Sequence, residues 1–447
     1  MRDLAFIAFL LALWGTGFRR PFLFVLAYVY IDIISPQRLT YYLLNSVPIS
    51  LIAAVLMLGG WALTDDKKGS RFAPRQALIL VLMLYCFATK QAADFPIEAQ
   101  EKWEWVSRTL FFAAFLPLTL RTRLRMEALL LFMILSAASI IIVGGIKTLA
   151  GGGGYGQLNL MVDNNSGLYE GSTISTVAIA IIPLIAWFMR YGTIFPPDNR
   201  VRLFCLALIF ACLLIPVGTS TRTGLICIVL VALLSLRNVK RKVMYLSLIA
   251  AAGVVAVPFL PASFSNRMST IQNHDADESA STRVAVWKWT IDYAKTHPFG
   301  GGFEAYRGNR IRYDIVKTAP DGSVHTSTVT DKARGYHSAY FEMLGEQGYV
   351  GLGLWLLINL IGLVRMEVLR RRYKEGAFAW AGSLAAGLQS AHVVYLFGAA
   401  FIAVAFQSFV YMLIGAQIGL DTYLARRRAE ETAPGIVRRS RAQAVPA

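Results

Sequence analysis

Charged residues are scarce in this chain, because only 16% of its 447 residues are Asp, Glu, Lys or Arg, whereas 56% are hydrophobic. A soluble protein carries nearer ~25% charged residues, so the scarcity excludes an ordinary soluble domain. Apolar runs of about 15 to 25 residues recur along the whole length and indicate a polytopic α-helical membrane protein. These runs are continuous and do not alternate with polar residues, which excludes a closed outer-membrane barrel.

Cysteine and histidine are also rare, with four and five copies. All four cysteines fall inside apolar runs, so the sequence predicts neither a disulfide framework nor a cysteine-based metal site. Four histidines lie in one long polar interval, but they lack the spacing of a zinc site. The glycine run Gly151–Gly154 lacks the Lys-Ser/Thr ending of a nucleotide-binding loop. The sequence therefore predicts neither a metal nor a nucleotide cofactor.

Arg19 and Arg20 follow the first apolar piece, so we expect no cleavable signal peptide.

Acidic residues are fewer than basic ones, and the formal net charge is +17. The long interval Pro261–Gln347 is balanced, with ten residues of each sign. The excess lies in short connections that alternate with poorly charged ones, which is the positive-inside pattern of membrane proteins. The excess of basic residues therefore indicates the membrane topology, and we expect no nucleic-acid partner. The clusters are Lys67/Lys68/Arg71/Arg75, Arg121/Arg123/Arg125, Arg190/Arg200/Arg202, Arg237/Lys240/Arg241/Lys242, Arg370/Arg371/Arg372/Lys374 and Arg426/Arg427/Arg428.

The pattern predicts an all-α polytopic membrane protein of about twelve transmembrane helices, with one large, partly helical periplasmic loop. The first 35 residues hold two short apolar pieces. With one net crossing there, both termini are cytoplasmic and the total is twelve, which is our prediction. With two crossings the total is thirteen and the N-terminus is outside. The predicted divisions are a transmembrane bundle at 1–260, the loop at 261–347, transmembrane helices at 348–424 and a cytoplasmic tail at 425–447.

One segment of the long loop, Ser281–His297, has apolar residues at helical spacing. It predicts a helix that either lies on the membrane surface with its aromatic rings at headgroup level or packs inside a folded loop. Arg283 falls in its first turn, where a cation opposes the helix dipole. We therefore expect an anionic partner for Arg283.

Two further stretches carry candidate chemistry. Arg222 lies in the hydroxyl-rich turn Gly218–Gly224, at the start of an apolar span. Either it anchors the span at the interface, or its turn forms an anion site in which Ser220 and Thr221 assist. His337 lies where the loop re-enters the bilayer, with Glu342 and Glu346 nearby as candidates to orient its ring. Arginine suits bidentate contact with phosphate, and histidine accepts a proton near neutrality.

These stretches resemble motifs of the O-antigen ligase and polymerase superfamily, which are inner-membrane glycosyltransferases of the GT-C type. One match is Ser220–Gly224, followed by Arg283-x-x-x-Trp287 running to His297–Gly302; the other is His337–Tyr340, leading to Glu346–Gly351. Ser338 stands where many members have Asn. The stretch Ser35–Thr40, which includes a further supporting candidate, Arg38, is similar to the subgroup of exosortase-associated O-glycosylation ligases.

The resemblance implies transfer of a glycan from undecaprenyl pyrophosphate to an acceptor at the periplasmic face of a Gram-negative inner membrane. It implies that Arg222 and Arg283 hold the pyrophosphate and that His337 activates the acceptor hydroxyl, without a metal or nucleotide cofactor. The lipid A core is the acceptor that we predict. A growing glycan, for a polymerase, and a protein Ser/Thr, for an O-oligosaccharyltransferase, remain as alternatives. A lipid-linked glycan transporter is the non-enzymatic alternative.

Overall fold

The computed structural model describes residues 2–40, 43–44, 46–151, 168–256, 278–318 and 324–432. These residues are mostly helical, which confirms the predicted all-α, membrane-like class. The helices are α1 Arg2–Gly17, α2 Phe22–Ile34, α3 Pro36–Leu39, α4 Ile49–Leu63, α5 Pro74–Gln91, α6 Pro96–Thr119, α7 Arg123–Gly151, α8 Gly171–Tyr191, α9 Asn199–Gly218, α10 Arg222–Ser235, α11 Lys242–Ala256, α12 Glu278–Thr296, α13 Ala339–Arg372, α14 Ala379–Gly398 and α15 Ser408–Thr432.

The long loop contains helix α12, as the aromatic spacing predicts, and also a hairpin that we did not predict. Strand β1 (Arg310–Thr318) pairs antiparallel with β2 (Val324–Lys332). The sequence also predicts a last apolar span at roughly 397–420, and the structure differs there. A 3-10 turn at Ala399–Phe401 and an irregular segment come first, and α15 begins only at Ser408.

Five described helices are long and apolar enough to cross a membrane, namely α7, α8, α9, α13 and α14 with its following turn. Four more are apolar but shorter, namely α1, α2, α4 and α10. The predicted total of about twelve spans is therefore not confirmed. The four shorter helices fall short by length, since each has 17 residues or fewer.

The first two helices run antiparallel. Gly17 lies against the ring of Phe24, and Phe9 and Tyr30 have ring centroids 4.8 Å apart. The two pieces therefore form a helical hairpin, and both are shorter than the helices that could cross a membrane by length and composition. The backbone N–H of Leu43 donates to Asp3 at 3.3 Å, which places the N-terminus at the same end as the segment after α3.

The basic connections gather at one end of the bundle. Asp65, after α4, pairs with Arg121, which lies between α6 and α7, at 3.4 Å. Arg426 of α15 donates to the carbonyl of Arg121, and Arg123 donates to the carbonyl of Tyr191, the last residue of α8, at 2.5 Å. Four connections that are distant in sequence therefore share one end, as the positive-inside pattern requires.

Arg75 is an exception within the first basic cluster. Its side chain is buried and donates to the carbonyl of Ile358 at 2.9 Å and to Gln417 at 2.8 Å. Gln417 in turn contacts His392 at 3.1 Å, and His392 contacts Asn359 at 2.8 Å. Each polar group has a buried partner, so Arg75 joins α5, α13 and α15 inside the bundle and does not mark its surface.

At the opposite end, two glycine motifs of the long loop interlock through their backbones. The N–H of Gly301 donates to Gly345 O at 3.0 Å, and the N–H of Tyr349 donates to Pro298 O at 3.0 Å. Gly348 between them has φ +63°, a conformation that favours glycine, and it kinks α13. A Cβ there would overlap the backbone of the Pro298 segment. The contact therefore fixes the loop to the start of α13.

Replacing Gly348 with Ala should destabilise the protein strongly. The backbone conformation alone costs a non-glycine residue about 1–3 kcal/mol, and the overlap with Pro298 adds to it. Gly353→Ala on the same helix is the control, because its Cβ would meet nothing within 4 Å. Thermal unfolding of the two purified variants measures the difference. Equal midpoints would contradict the interlock.

Candidate active site

His337 lies in the short connection between β2 and α13, immediately before the capping residue Ser338. Its φ of +48° is a left-handed conformation, so the surrounding structure must hold it. Helix α12 supplies that support through Trp287, whose indole N–H donates to Tyr336 O at 2.9 Å. The same indole stacks on Phe341, with ring centroids 4.9 Å apart. Trp287 therefore contacts the chain on both sides of His337.

Asn309 holds the start of the same connection. Its side-chain amide donates to Arg334 O at 2.7 Å and accepts from Arg334 N at 2.9 Å. Its backbone carbonyl accepts from the N–H of Ala333 at 3.1 Å. A small apolar cluster beneath completes the support. Its buried members are Val286, Ile311, Tyr313 and Tyr336.

The electrostatic surroundings of His337 favour its neutral form. Although part of the ring faces solvent, desolvation by the neighbouring side chains lowers the pKa of His337, and the charges of Arg283 and Arg334 lower it further. Glu170 acts in the opposite direction and raises it. The predicted pair of His337 and Arg283 is thus brought together, with Arg334 as a second cation beside the ring.

Sequence reasoning missed Glu170. It caps the first turn of α8, accepting from Ser172 N at 3.0 Å and from Thr173 N at 2.6 Å. The available signal was an acidic residue directly before Gly-Ser-Thr at the start of an apolar span, a capping pattern. Its charge raises the pKa of His337, so the N-terminus of α8 lies within electrostatic range of the ring.

The turn that carries Arg222 is built from hydroxyls that bond to one another. Thr221 donates to Ser175 at 2.9 Å, and Ser175 and Thr219 lie 2.8 Å apart. Ser220 is buried, with φ +52°. Thr221, which we assigned to an anion site, therefore shapes the turn together with Thr219. Arg222, half-buried, begins α10.

The hydroxyl contacts also locate this turn relative to His337. Ser175 and Glu170 are five residues apart along α8, about 7.5 Å at 1.5 Å per residue. Thr221 donates a hydrogen bond to Ser175, and the charge of Glu170 raises the pKa of His337. Arg222 and His337 therefore lie at the same end of α8.

Arg38 is exposed in the short helix α3. The hydroxyl of Tyr169 donates to Ile34 O at 2.6 Å, which ties the residue before Glu170 to the end of α2. This contact brings the Arg38 segment to the same end of the bundle.

Glu342 and Glu346, our candidates to orient His337, are engaged elsewhere. The ammonium of Lys102 on α6 contacts Glu342 at 2.7 Å and Glu346 at 2.8 Å. The other oxygen of Glu342 accepts from Ala405 N at 2.9 Å. Within the described residues, the ring of His337 makes no hydrogen bond, so neither carboxylate orients it. The sequence did not predict this pairing of Lys102, because the residue lies in what looks like a polar connection between two spans.

Among the remaining loop histidines, His297 makes its contacts away from His337. His297 is exposed and stacks on Tyr293, with centroids 4.1 Å apart. His325 pairs with Lys317 in the hairpin, and His274 lies outside the described residues. Among the residues that the structure describes, no group of three or more His, Cys, Asp or Glu is arranged to hold a metal ion.

The arrangement combines fixed cations with one neutral base at a single end of the bundle. Guanidinium groups can hold phosphate oxygens in bidentate fashion without losing charge. A neutral imidazole can accept a proton from a hydroxyl group. Such a set can bind an anionic leaving group and activate an alcohol.

Two family models match the chain. One, described as O-antigen ligase, matches residues 205–356, which include Arg222, Arg283 and His337. The other, described as a family of unknown function (DUF5935), matches residues 1–193, which include Arg38 and Glu170. A search of curated proteins returned no match.

Replacing Lys102 with Met should destabilise the fold, because it leaves Glu342 and Glu346 buried without their cation. Removing one partner of a buried ion pair costs about 3–5 kcal/mol. Lys295→Met is the control, since Lys295 pairs with Asp292 on an exposed surface and should change little. Unfolding midpoints in detergent provide the measurement. A Lys102 variant as stable as the Lys295 variant would refute the structural role.

Proposed function

Since the chain carries an O-antigen ligase domain and belongs to the O-antigen ligase/polymerase superfamily, we propose that it is an O-antigen ligase-type glycosyltransferase. It transfers a glycan from undecaprenyl pyrophosphate to the lipid A core, at the periplasmic face of a Gram-negative inner membrane. One observation carries the proposal. The charge of Arg283 lowers the pKa of His337, and the turn that carries Arg222 contacts α8 near Glu170, whose charge also acts on His337.

In the proposed reaction, Arg222 and Arg283 hold the oxygens of the pyrophosphate. Negative charge grows on this group as the bond between the sugar's anomeric carbon and the phosphate oxygen breaks. Cations aimed at that charge stabilise the transition state. The bond electrons leave with the pyrophosphate, so the donor supplies its own driving force and the proposal needs no nucleotide or metal.

His337 acts as the base in the same step. A hydroxyl oxygen of the acceptor forms the new bond to the anomeric carbon, and its proton passes to the neutral imidazole. The lowered pKa of His337 keeps the ring neutral at physiological pH and ready to accept the proton. The charge of Glu170 acts against this cationic field and raises the pKa of His337.

Other acceptors and another class remain as second candidates. A growing glycan or a protein Ser/Thr would make the chain a polymerase or an O-oligosaccharyltransferase. A transporter would place functional charges near the membrane midplane. The buried group around Arg75 is of that kind, but its members are hydrogen-bonded to one another. This pairing favours the enzyme.

Deletion of the gene tests the proposed reaction in cells. We expect lipopolysaccharide without O-antigen, while polymerised lipid-linked glycan accumulates. Lipopolysaccharide that carries only single glycan units, together with short lipid-linked chains, would instead indicate the polymerase. Loss of glycan from proteins alone would indicate the O-oligosaccharyltransferase.

Substitution of His337 by Ala or Gln should lower transfer at least about tenfold, since a positioned base contributes roughly 10²–10⁴-fold. Binding of the lipid-linked donor should persist and is measured separately in purified enzyme. His274→Ala and His325→Ala are the controls and should have little effect. Transfer at the wild-type rate in His337→Ala would show that the base lies elsewhere or is not needed.

Substitution of Arg222 or Arg283 by Ala should lower transfer about 10- to 100-fold, the value of hydrogen bonds to a charged group. Lysine at either position should recover only part of the activity, because it lacks the planar fork of arginine. Exposed Arg310→Ala is the control. Membrane levels are measured in parallel. Full activity in both alanine variants would leave the two arginines as structural anchors.

The pH dependence of transfer should respond to charged residues that shift the pKa of His337. Arg334→Gln removes a charge that lowers the pKa of His337, so the acid limb of kcat/KM should move to higher pH. Glu170→Gln should move it to lower pH. Arg310→Gln is the control. Acid limbs that stay in place in both variants would exclude His337 as the titrating group.

A further inference from the structure

An apolar groove lies between α1, α2 and α7, outside the residues assigned to the reaction. Its volume is about 500 Å³, within the range of ~300–1,000 Å³ typical of ligand pockets. Phe9 and Val143 on its rim are exposed, so the groove opens toward the lipid-facing side. It has room for a segment of one hydrocarbon chain, and not for the several chains of a lipid A anchor.

The groove has one cationic side chain in its lining, and that cation lies at one end. Lys147 lies four residues before the end of α7. Its neighbour Thr148 packs so closely on Gly218 that a Cβ there would overlap the threonine hydroxyl. Gly218 is the first residue of the turn that carries Arg222. The cationic end of the groove therefore lies beside that turn.

A second contact leads from the groove to His337. Tyr169 lines the groove, and its hydroxyl is held by Ile34 O at 2.6 Å. The next residue, Glu170, acts electrostatically on His337. Leu39, beside Arg38, lines the groove as well. The groove thus ends where the candidate site begins.

We infer that this groove holds the isoprenoid chain of the polyprenyl donor and that Lys147 contacts its phosphate. The inference rests on the proposed function and assigns the lipid subsite of the same reaction. The lipid bilayer is as apolar as the groove, so the chain gains little affinity by entering. The groove instead sets the depth and direction of the chain, and the charge of Lys147 supplies binding to the phosphate.

Binding is tested without turnover by an undecaprenyl phosphate analogue that carries a diazirine on its chain. After irradiation of the purified protein, labelled peptides should come from α7, α2 or α1. Excess undecaprenyl phosphate should suppress the label, whereas phosphatidylglycerol should not. Label elsewhere, or label displaced equally by phosphatidylglycerol, would overturn the inference.

Transfer is then compared for undecaprenyl donors and for donors with a short isoprenoid chain. Ser139→Phe fills the groove and should reduce the preference for the long chain at least about tenfold. Leu149→Phe, on the lipid-exposed side of the same helix and outside the groove, should leave the preference unchanged. Lys147→Met should raise KM for both donors, and Lys147→Arg should restore it. An unchanged preference in Ser139→Phe would overturn the inference.

The two measurements separate the subsite from the reaction. Labelled groove peptides in a protein that transfers no glycan would retain the lipid site and reject the proposed function. Normal transfer with label outside the groove would retain the function and reject the lipid site.

Discussion

The candidate site depends on one close backbone contact, in which the segment Pro298–Gly302 interlocks with Gly345–Gly348. Only glycine admits this approach, and the kink at Gly348 follows from it. The contact fixes the long loop to α13. Helix α12, which leads into the first segment, can then hold the chain on both sides of His337 through Trp287. A strained histidine is thereby positioned by elements that are far apart in sequence.

Two kinds of electrostatics coexist at this end of the bundle. The buried carboxylates of Glu342 and Glu346 neutralise Lys102 and secure α6 to α13. The cations around His337 instead face a part-exposed surface, where they can meet an anionic ligand. Glu170 belongs to the region matched by the family of unknown function, whereas His337 belongs to the ligase region. Both regions thus contribute charges that act on His337.

The sequence predicts local features well and distant contacts poorly. Helical spacing locates α12, and charge alternation predicts the shared end of the basic clusters, because both depend on neighbouring residues. Arg75 reads as a surface cation, and only the packing of α5 against α13 and α15 reveals that it is buried. Glu342 reads as a partner for His337 because the two are close in sequence. Glu342 instead pairs with Lys102, which lies on α6, 240 residues earlier in the sequence.

Reconstituted transfer tests the central claim most directly. The purified protein is placed in liposomes with a glycan linked to undecaprenyl pyrophosphate and with lipid A core, and both products are quantified. The account predicts one equivalent of undecaprenyl pyrophosphate released for each glycan joined to the core. An intact donor that only changes leaflet would contradict the account and make the protein a transporter.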